Sequence, residues 1–320
     1  MKQILKEAGA AWVLGFLVPA VVLFGMISIS ERYVPEEQIP STATSPEEKR
    51  TVKVLDKNGA LRHWELEEYL VGVVLAEMPA SFEPEALKAQ AVVARTYTIR
   101  AEKYGDKHGE AAVCTDSACC QAYRNPEAYL QAGGTQEGLD KVRSSVEVTE
   151  GLVLTYGGEL IEATYFSCSG GSTEDAVAVW GTDVPYLKAV SSPGEEDSSW
   201  YATTRTFTAA EFSEKLGLKV PESLKDWFGE AIYTAGGGVG QMIIGGTSFT
   251  GTQLRSLLEL PSTAISVSVE DDLIAITCRG YGHRVGMSQY GADAMAGAGS
   301  KYPEILEHYY QGTALVHWTD

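Results

Sequence analysis

Positive charge is scarce in this 320-residue chain: 25 Lys and Arg stand against 43 Asp and Glu, for a net charge of −18. Nucleic-acid affinity rests on neutralising phosphates, so such a surface repels DNA and RNA, and it gives no grip on anionic lipid. There is no internal repeat, and helical and strand-like segments do not alternate regularly, which excludes a repeat array and a doubly wound parallel sheet in favour of an α+β fold. Cysteine is sparse too, with three of the five crowded between positions 114 and 120. From Ala8 to Ile29 charge is missing altogether. As a helix, that run is long enough to cross a hydrocarbon core of ~30 Å.

Lys2 and Lys6 precede the apolar run, and Pro35, Glu36 and Glu37 follow it. The positive-inside bias then predicts a cytoplasmic N-terminus and an extracytoplasmic remainder, with residues 1–30 forming a cytoplasmic start and single-pass membrane anchor. A cleaved signal peptide ending at Ser28 or Ser30 is the alternative. Residues 31–50, proline-containing and polar, read as an extended linker, and residues 51–320 as one large mixed domain. Within that domain, Thr51–Leu55 and Leu61–Leu66 predict a hairpin turned by Asn58-Gly59. A helix is expected from Glu67, stopped by Pro79, and a second from Pro84 to Tyr104. Further strands are expected at 151–156, 159–166, 230–235, 239–244, 264–269 and 273–277, with helices at 209–216, 252–260, 285–296 and 303–311.

Glu77 is the first candidate for chemistry. Positions 66, 70, 73 and 77 share one helix face, so Glu77 extends an apolar stripe into the last turn. Partial burial and the negative helix end both raise a carboxyl pKa, as a general acid at neutral pH requires. The alternative is an exposed glutamate in a fraying turn.

His108, Cys114, Cys119 and Cys120 fall within 13 residues of loop-like sequence. Four N/S ligands fit a tetrahedral Zn²⁺, and a closed set leaves no position for a reactive water, so such an ion is structural. A disulfide from Cys114 to Cys119 or Cys120 is the alternative. Cys168 and Cys278 pair with each other or stay as buried thiols. No cysteine has a histidine and orienting partner that would make it a nucleophile.

The string AEMPASFEPEALKAQAVVARTYTIR (Ala76–Arg100) resembles a signature of the SpoIID family of peptidoglycan lytic transglycosylases. YFSCSGGSTEDAVAVWGTDVPYLKAV (Tyr165–Val190) and RGYGHRVGMSQYGADAMAGAG (Arg279–Gly299) resemble two more, the last departing from the family's GHGVGMSQ pattern at Arg284. The likeness spans residues 50–318 and implies a domain with a substrate groove. It places the catalytic glutamate on Glu77, the essential arginine on Arg95, and a Tyr-x-Lys pair that binds glycan on Tyr186 and Lys188. His283, Ser288 and Gln289 become groove residues, with a structural Gly-rich turn as the alternative reading. Some relatives carry zinc at the cysteine loop, with histidine where this chain has Cys119.

The family's chemistry gives 1,6-anhydro-muramic acid ends on glycan strands stripped of stem peptides. One glutamate suffices for that, whereas a hydrolytic glycosidase generally needs two carboxyl groups. The resemblance further implies septal wall degradation and engulfment in sporulation, beside a companion wall amidase/endopeptidase and a polytopic membrane protein. Rival readings are a non-catalytic, glycan-binding enhancer of a wall amidase, and a zinc amidase.

Overall fold

A computed structural model of the chain describes residues 49–224, 226–270 and 272–319. The expected anchor, and the expected linker up to residue 48, lie outside them. Among the described residues no helix is long and apolar enough to cross a membrane. The expected α+β class is what is observed, with strands and helices mixed along the chain.

Strands β1 (Thr51–Leu55) and β2 (Leu61–Glu65) form the expected antiparallel hairpin. Its turn is longer than an Asn-Gly pair: the Asp56 carboxylate accepts the Asn58 and Ala60 N–H groups at 2.9 Å, and Gly59 turns the chain at φ +78°. Helix α1 (Leu66–Glu77) follows at once and is apolar on nearly every side. Leu70, Val73 and Val74 are fully buried, each burial stabilising the fold by roughly 1.5–3 kcal/mol. The helix stops where Pro79 requires, with Met78 extended at φ −123°, ψ 144°.

Helix α2 (Pro84–Tyr104) has the predicted bounds and runs through the first hydrophobic core. Its alanines let α1 and later helices approach closely, and the residues from Ala86 to Ala94 are almost all buried. β3 (Val113–Cys114) pairs in parallel with β1. Two helices then appear where none was expected, α3 (Pro126–Gln131) and α4 (Gln136–Val148). The signal for α4 was present: Thr135 caps it through the Gly138 N–H, and Leu139, Val142 and Val146 form a buried stripe at helical spacing.

β4 (Leu152–Tyr156) and β5 (Glu159–Leu160) make a hairpin across Gly157 and Gly158, both at positive φ. The expected strand 159–166 is broken: the chain leaves β5 at Leu160 and resumes as β6 (Tyr165–Phe166). β7 (Gly171–Ser172), α5 (Ala176–Trp180) and β8 (Ser191–Ser192) complete the segment.

Next come β9 (Ala202–Thr208), α6 (Ala209–Leu216), β10 (Phe228–Tyr233), β11 (Val239–Ile244), β12 (Thr247–Thr250), α7 (Gly251–Leu257), β13 (Ala264–Glu270) and β14 (Leu273–Arg279). They form two antiparallel sheets, β10-β11-β12 and β13-β14-β9. Phe212, Trp227, Met242 and Ile274 belong to a core of their own, so the described residues hold two hydrophobic cores rather than one. The chain returns through β15 (Met287–Ser288), α8 (Gln289–Gly297), α9 (Tyr302–Tyr309) and β16 (Ala314–His317). The helix expected from residue 285 starts at Gln289 because β15 pairs in parallel with β6.

That pairing needs glycine at 286. Its φ is +81°, and a Cβ there would lie 2.1 Å from the Thr164 carbonyl oxygen. Gly286→Ala is expected to cost at least about 1–3 kcal/mol in urea unfolding. Gly297→Ala, inside α8 with open space around it, should be neutral or stabilising by up to about 1 kcal/mol.

Candidate active site

Glu77 ends α1, and its Oε1 accepts the Ala122 N–H at 2.6 Å. Burial raises its pKa above the ordinary value of 4.5, and the Ala122 N–H, the Tyr165 hydroxyl and the Gln289 amide partly offset the rise. No second carboxylate acts on it among the described residues. The Tyr165 hydroxyl stands between Glu77 and Gln121 Oε1, 3.3 Å from the latter, so its one proton serves either acceptor, and burial together with the Glu77 carboxyl raises its own pKa. Gln289 reaches Gln90 of α2 at 3.5 Å.

The three strings singled out in the sequence therefore meet here: the end of α1, β6 and the start of α8. Tyr165 pairs with Met287 in the β6–β15 ladder, which holds Tyr165 and Gln289 together within reach of the carboxyl. A cavity of about 450 Å³ opens three residues beyond Glu77, lined by Ala80, Ser81, Tyr129, Thr135 and Lys141 among others.

The other expected residues divide into those near this centre and those elsewhere. Ser288 caps α8 by accepting the Gly291 N–H at 3.2 Å and is buried. His283 packs on Phe166 and Trp180, and its Nδ1 accepts the Val285 N–H at 3.1 Å. Burial, then the nearby Arg255 charge, lower its pKa to about 4, so at neutral pH it is an uncharged imidazole. Tyr186 accepts the Glu162 N–H at 3.0 Å beside Tyr156, and Lys188 is salt-bridged to Asp183. Neither Tyr186 nor Lys188 hydrogen-bonds Glu77.

Arg95 makes no hydrogen bond to Glu77. It is fully buried, and Nε and Nη2 hold both oxygens of Glu67 at 2.9 and 2.5 Å. Nη1 and Nη2 also donate to the Leu152 and Val146 carbonyls at 3.2 Å. Glu67 is in the first turn of α1, ten residues and roughly 15 Å of helix from Glu77. Arg95 therefore locks α1, α4 and β4 onto α2 and acts on Glu77 only through the helix.

Arg284 explains the departure from the glycine-rich pattern. Its φ is +65°, so the backbone keeps the left-handed turn that glycine favours. The buried guanidinium donates through Nε and Nη2 to the carbonyls of Ser169, Ser172 and Gly236 at 2.7–2.9 Å, while Nη1 makes no hydrogen bond and lies 3.9 Å from Glu174.

His108, Cys114, Cys119 and Cys120 come together, with one ligand atom from each lying within 4.8 Å of the others. His108 Nε2 is 3.2 Å from Cys120 Sγ and 3.5 Å from Cys119 Sγ, and the two sulfurs are 4.0 Å apart. A zinc tetrahedron with ~2.0–2.3 Å bonds has edges of roughly 3.5–3.8 Å, so the set fits the ion with small adjustments. All five cysteines are free, and Cys168 and Cys278 are both buried.

Sequence reasoning missed Gln121, which sits between the cysteine loop and the carboxyl: it donates to Thr98 Oγ1 at 2.9 Å and lies 3.3 Å from the Tyr165 hydroxyl. It missed Glu195 as well, a buried carboxylate that accepts from Ser169 N, Gly170 N and the hydroxyls of Ser169 and Ser192. Each is a polar residue whose meaning depends on a distant segment.

If Arg95 works by locking α1, Arg95→Ala should lower unfolding free energy by about 3–5 kcal/mol, because it strands Glu67 and two carbonyls. Activity should fall with it. Urea titration of the full-length protein beside a turnover assay checks this; lost activity at unchanged stability would restore a direct catalytic role.

Residues 56–156 match the SpoIID family model, described as stage II sporulation protein. The chain is 41% identical over 264 residues to stage II sporulation protein D of Bacillus subtilis (strain 168), covering 81% of this chain and 76% of that protein. It is 38% identical over 263 residues to stage II sporulation protein D of Bacillus amyloliquefaciens, covering 81% and 76%. An amidase enhancer of Bacillus subtilis (strain 168) is 32% identical over 305 residues, covering 78% of this chain and 40% of that protein.

Proposed function

The chain belongs to the stage II sporulation protein D family, and from that premise we propose that it is a peptidoglycan lytic transglycosylase with Glu77 as its acid and base. The observation that carries the reading is a single half-buried carboxyl, raised in pKa and with no carboxylate partner, where the three sequence strings meet. Protonated Glu77 gives its proton to the glycosidic oxygen. The resulting carboxylate takes the proton of the muramic acid C6 hydroxyl as that oxygen attacks C1, and the new end is a 1,6-anhydro sugar. Hydrolysis would need a second carboxyl group to activate water or attack C1. Tyr186, Lys188 and His283 are proposed to bind the glycan beyond the reacting bond.

In the same proposal the protein is a single-pass membrane protein anchored by residues 1–30, with residues 51–320 facing the septal wall. It acts there beside an amidase/endopeptidase and a polytopic membrane protein during engulfment. Similarity to an amidase enhancer favours a second reading, in which the domain binds glycan and stimulates a partner without cutting.

Full-length protein incubated in ¹⁸O-labelled water with stem-peptide-free glycan strands should give unlabelled 1,6-anhydro ends. Glu77→Gln should lower turnover by about 10²–10⁴-fold. Because Glu77 must start protonated, activity should fall as pH rises through its pKa, placing the basic limb above the ordinary 4.5; Glu77→Gln should lose that limb. Labelled reducing ends would mean hydrolysis, and binding without cutting by either protein would favour the enhancer reading.

Zinc held by His108, Cys114, Cys119 and Cys120 is proposed as a structural ion. Its chemistry is to bind three thiolates and an imidazole, closing the loop that carries Gln121 and the Ala122 N–H to Glu77. Chelation should release about one equivalent of zinc, lower the melting temperature and speed hydrogen exchange at Ala122. Unchanged melting and exchange after complete metal removal would exclude that role.

A further inference from the structure

A glycine inside a helix forfeits stability relative to alanine, so one at the centre of α1 needs a reason. Gly72 has one. It is buried, and a Cβ built there would collide with three carbons of the Tyr123 ring, the farthest at 2.8 Å. Only hydrogen at this position lets the ring lie against the helix. Two more rings hold it there. The Tyr123 centroid is 4.6 Å from that of Trp64 in β2 and 5.9 Å from that of Tyr69 in α1, and the three planes lie within 17° of one another.

The backbone beside the ring is tied to the same helix. The Arg124 N–H donates to the Gly72 carbonyl at 2.9 Å, and two residues earlier the Ala122 N–H donates to Glu77 at 2.6 Å. The segment therefore runs antiparallel to α1 with a contact at each end. The spans agree: two residues of extended chain cover about 7 Å, and the five residues from Gly72 to Glu77 rise about 7.5 Å along the helix. Residues 121–125 belong to no helix or strand, so no ladder sets their register. A slip of one residue would move the chain by about 3.3 Å, enough to remove a hydrogen bond altogether.

We propose that Tyr123, seated on Gly72 and flanked by Trp64, is a positioning residue for the acid: its ring fixes where residues 121–125 lie along α1 and so holds the Ala122 N–H against the Glu77 carboxyl. The proposed zinc ties the segment from the Cys120 side, and the ring ties it from the other, with Ala122 between them. The inference rests on the reading of Glu77 as the acid. Besides Ala122, the groups that face Glu77 are Tyr165 of β6 and Gln289 of α8. Losing the Ala122 N–H removes one of the three groups that favour the carboxylate, so Glu77 would hold its proton to higher pH. Facing Tyr123 is Glu68 of α1, paired with Arg143 at 2.7 Å; burial and then Glu68 raise the phenol above its ordinary 10, so Tyr123 stays neutral throughout.

The test follows the Ala122 amide by NMR in full-length protein labelled with ¹⁵N-alanine, beside the pH dependence of turnover. In the parent the Ala122 resonance should move as Glu77 titrates, and Glu77→Gln should abolish the movement. Tyr123→Ala should abolish it too, lower kcat about three- to tenfold with little change in KM, and move the basic limb up by about one pH unit. Tyr123→Phe keeps the ring and should return both resonance and limb toward the parent. Gly72→Ala pushes the ring off the helix and should act like Tyr123→Ala; if it does not fold, the half-buried Tyr123 position decides alone. An Ala122 resonance that still follows Glu77 in Tyr123→Ala, or a basic limb that stays in place, overturns the proposal. If the parent cuts no glycan, the acid reading fails, and the resonance still decides whether the ring sets the register.

Discussion

The structure depends on one constraint: α2 is buried nearly all round, so every polar side chain on its covered length must find a partner inside the protein. Those partners are the segments that build the site. Arg95 holds Glu67 at the start of α1, and Thr96 Oγ1 accepts the Leu154 N–H of β4 at 3.0 Å. Thr98 takes the Gln121 amide, and Gln90 takes Gln289 at the start of α8. An apolar α2 would pack as well, but would leave four elements free to slide. The polar hooks fix their positions along the helix, and Glu77, Tyr165 and Gln289 inherit that precision.

A second layer of buried charge extends the same logic to the glycine-rich loops. Glu195 gathers the turn at Ser169 and Gly170, and Glu174 accepts from Thr234 Oγ1 at 2.6 Å and from the Gly236 and Gly238 N–H groups at 3.2 Å. Arg284 lies 3.9 Å from Glu174 and binds the Gly236 carbonyl from the other side. The second core, residues 202–279, is thereby attached to the motif loops through one carboxylate and one guanidinium. At residue 284 the chain keeps a glycine-like backbone, φ +65°, and uses the side chain as the tie.

What could be read from the sequence was what depends on neighbours in the chain. The bounds of α2 followed from Pro84 and a run of small and apolar residues. The end of α1 followed from Pro79, and the cysteine cluster from residues spaced within one loop. The partner of Arg95 was not legible, because a buried arginine and a catalytic one look alike in sequence and Glu67 is 28 positions away. The break between β5 and β6 was illegible because β6 is defined by its ladder to residue 287. Motif strings located the site; only long-range pairing told which of their residues touch Glu77.

The surroundings of Glu77 also bear on how one carboxyl could serve two proton transfers. Burial favours the neutral acid, which is the form that protonates a leaving oxygen. The Ala122 N–H, the Tyr165 hydroxyl and the Gln289 amide favour the carboxylate, which is the form that must exist immediately afterwards. A site with burial alone would hold the proton too firmly to release it, and one with donors alone would never be protonated near neutrality. Opposed influences bring the two forms closer in free energy, the condition under which a single group both gives and takes a proton with least loss. Two of the three donors come from the segments that α2 fixes, so the constraint that orders the fold also sets the balance at the carboxyl.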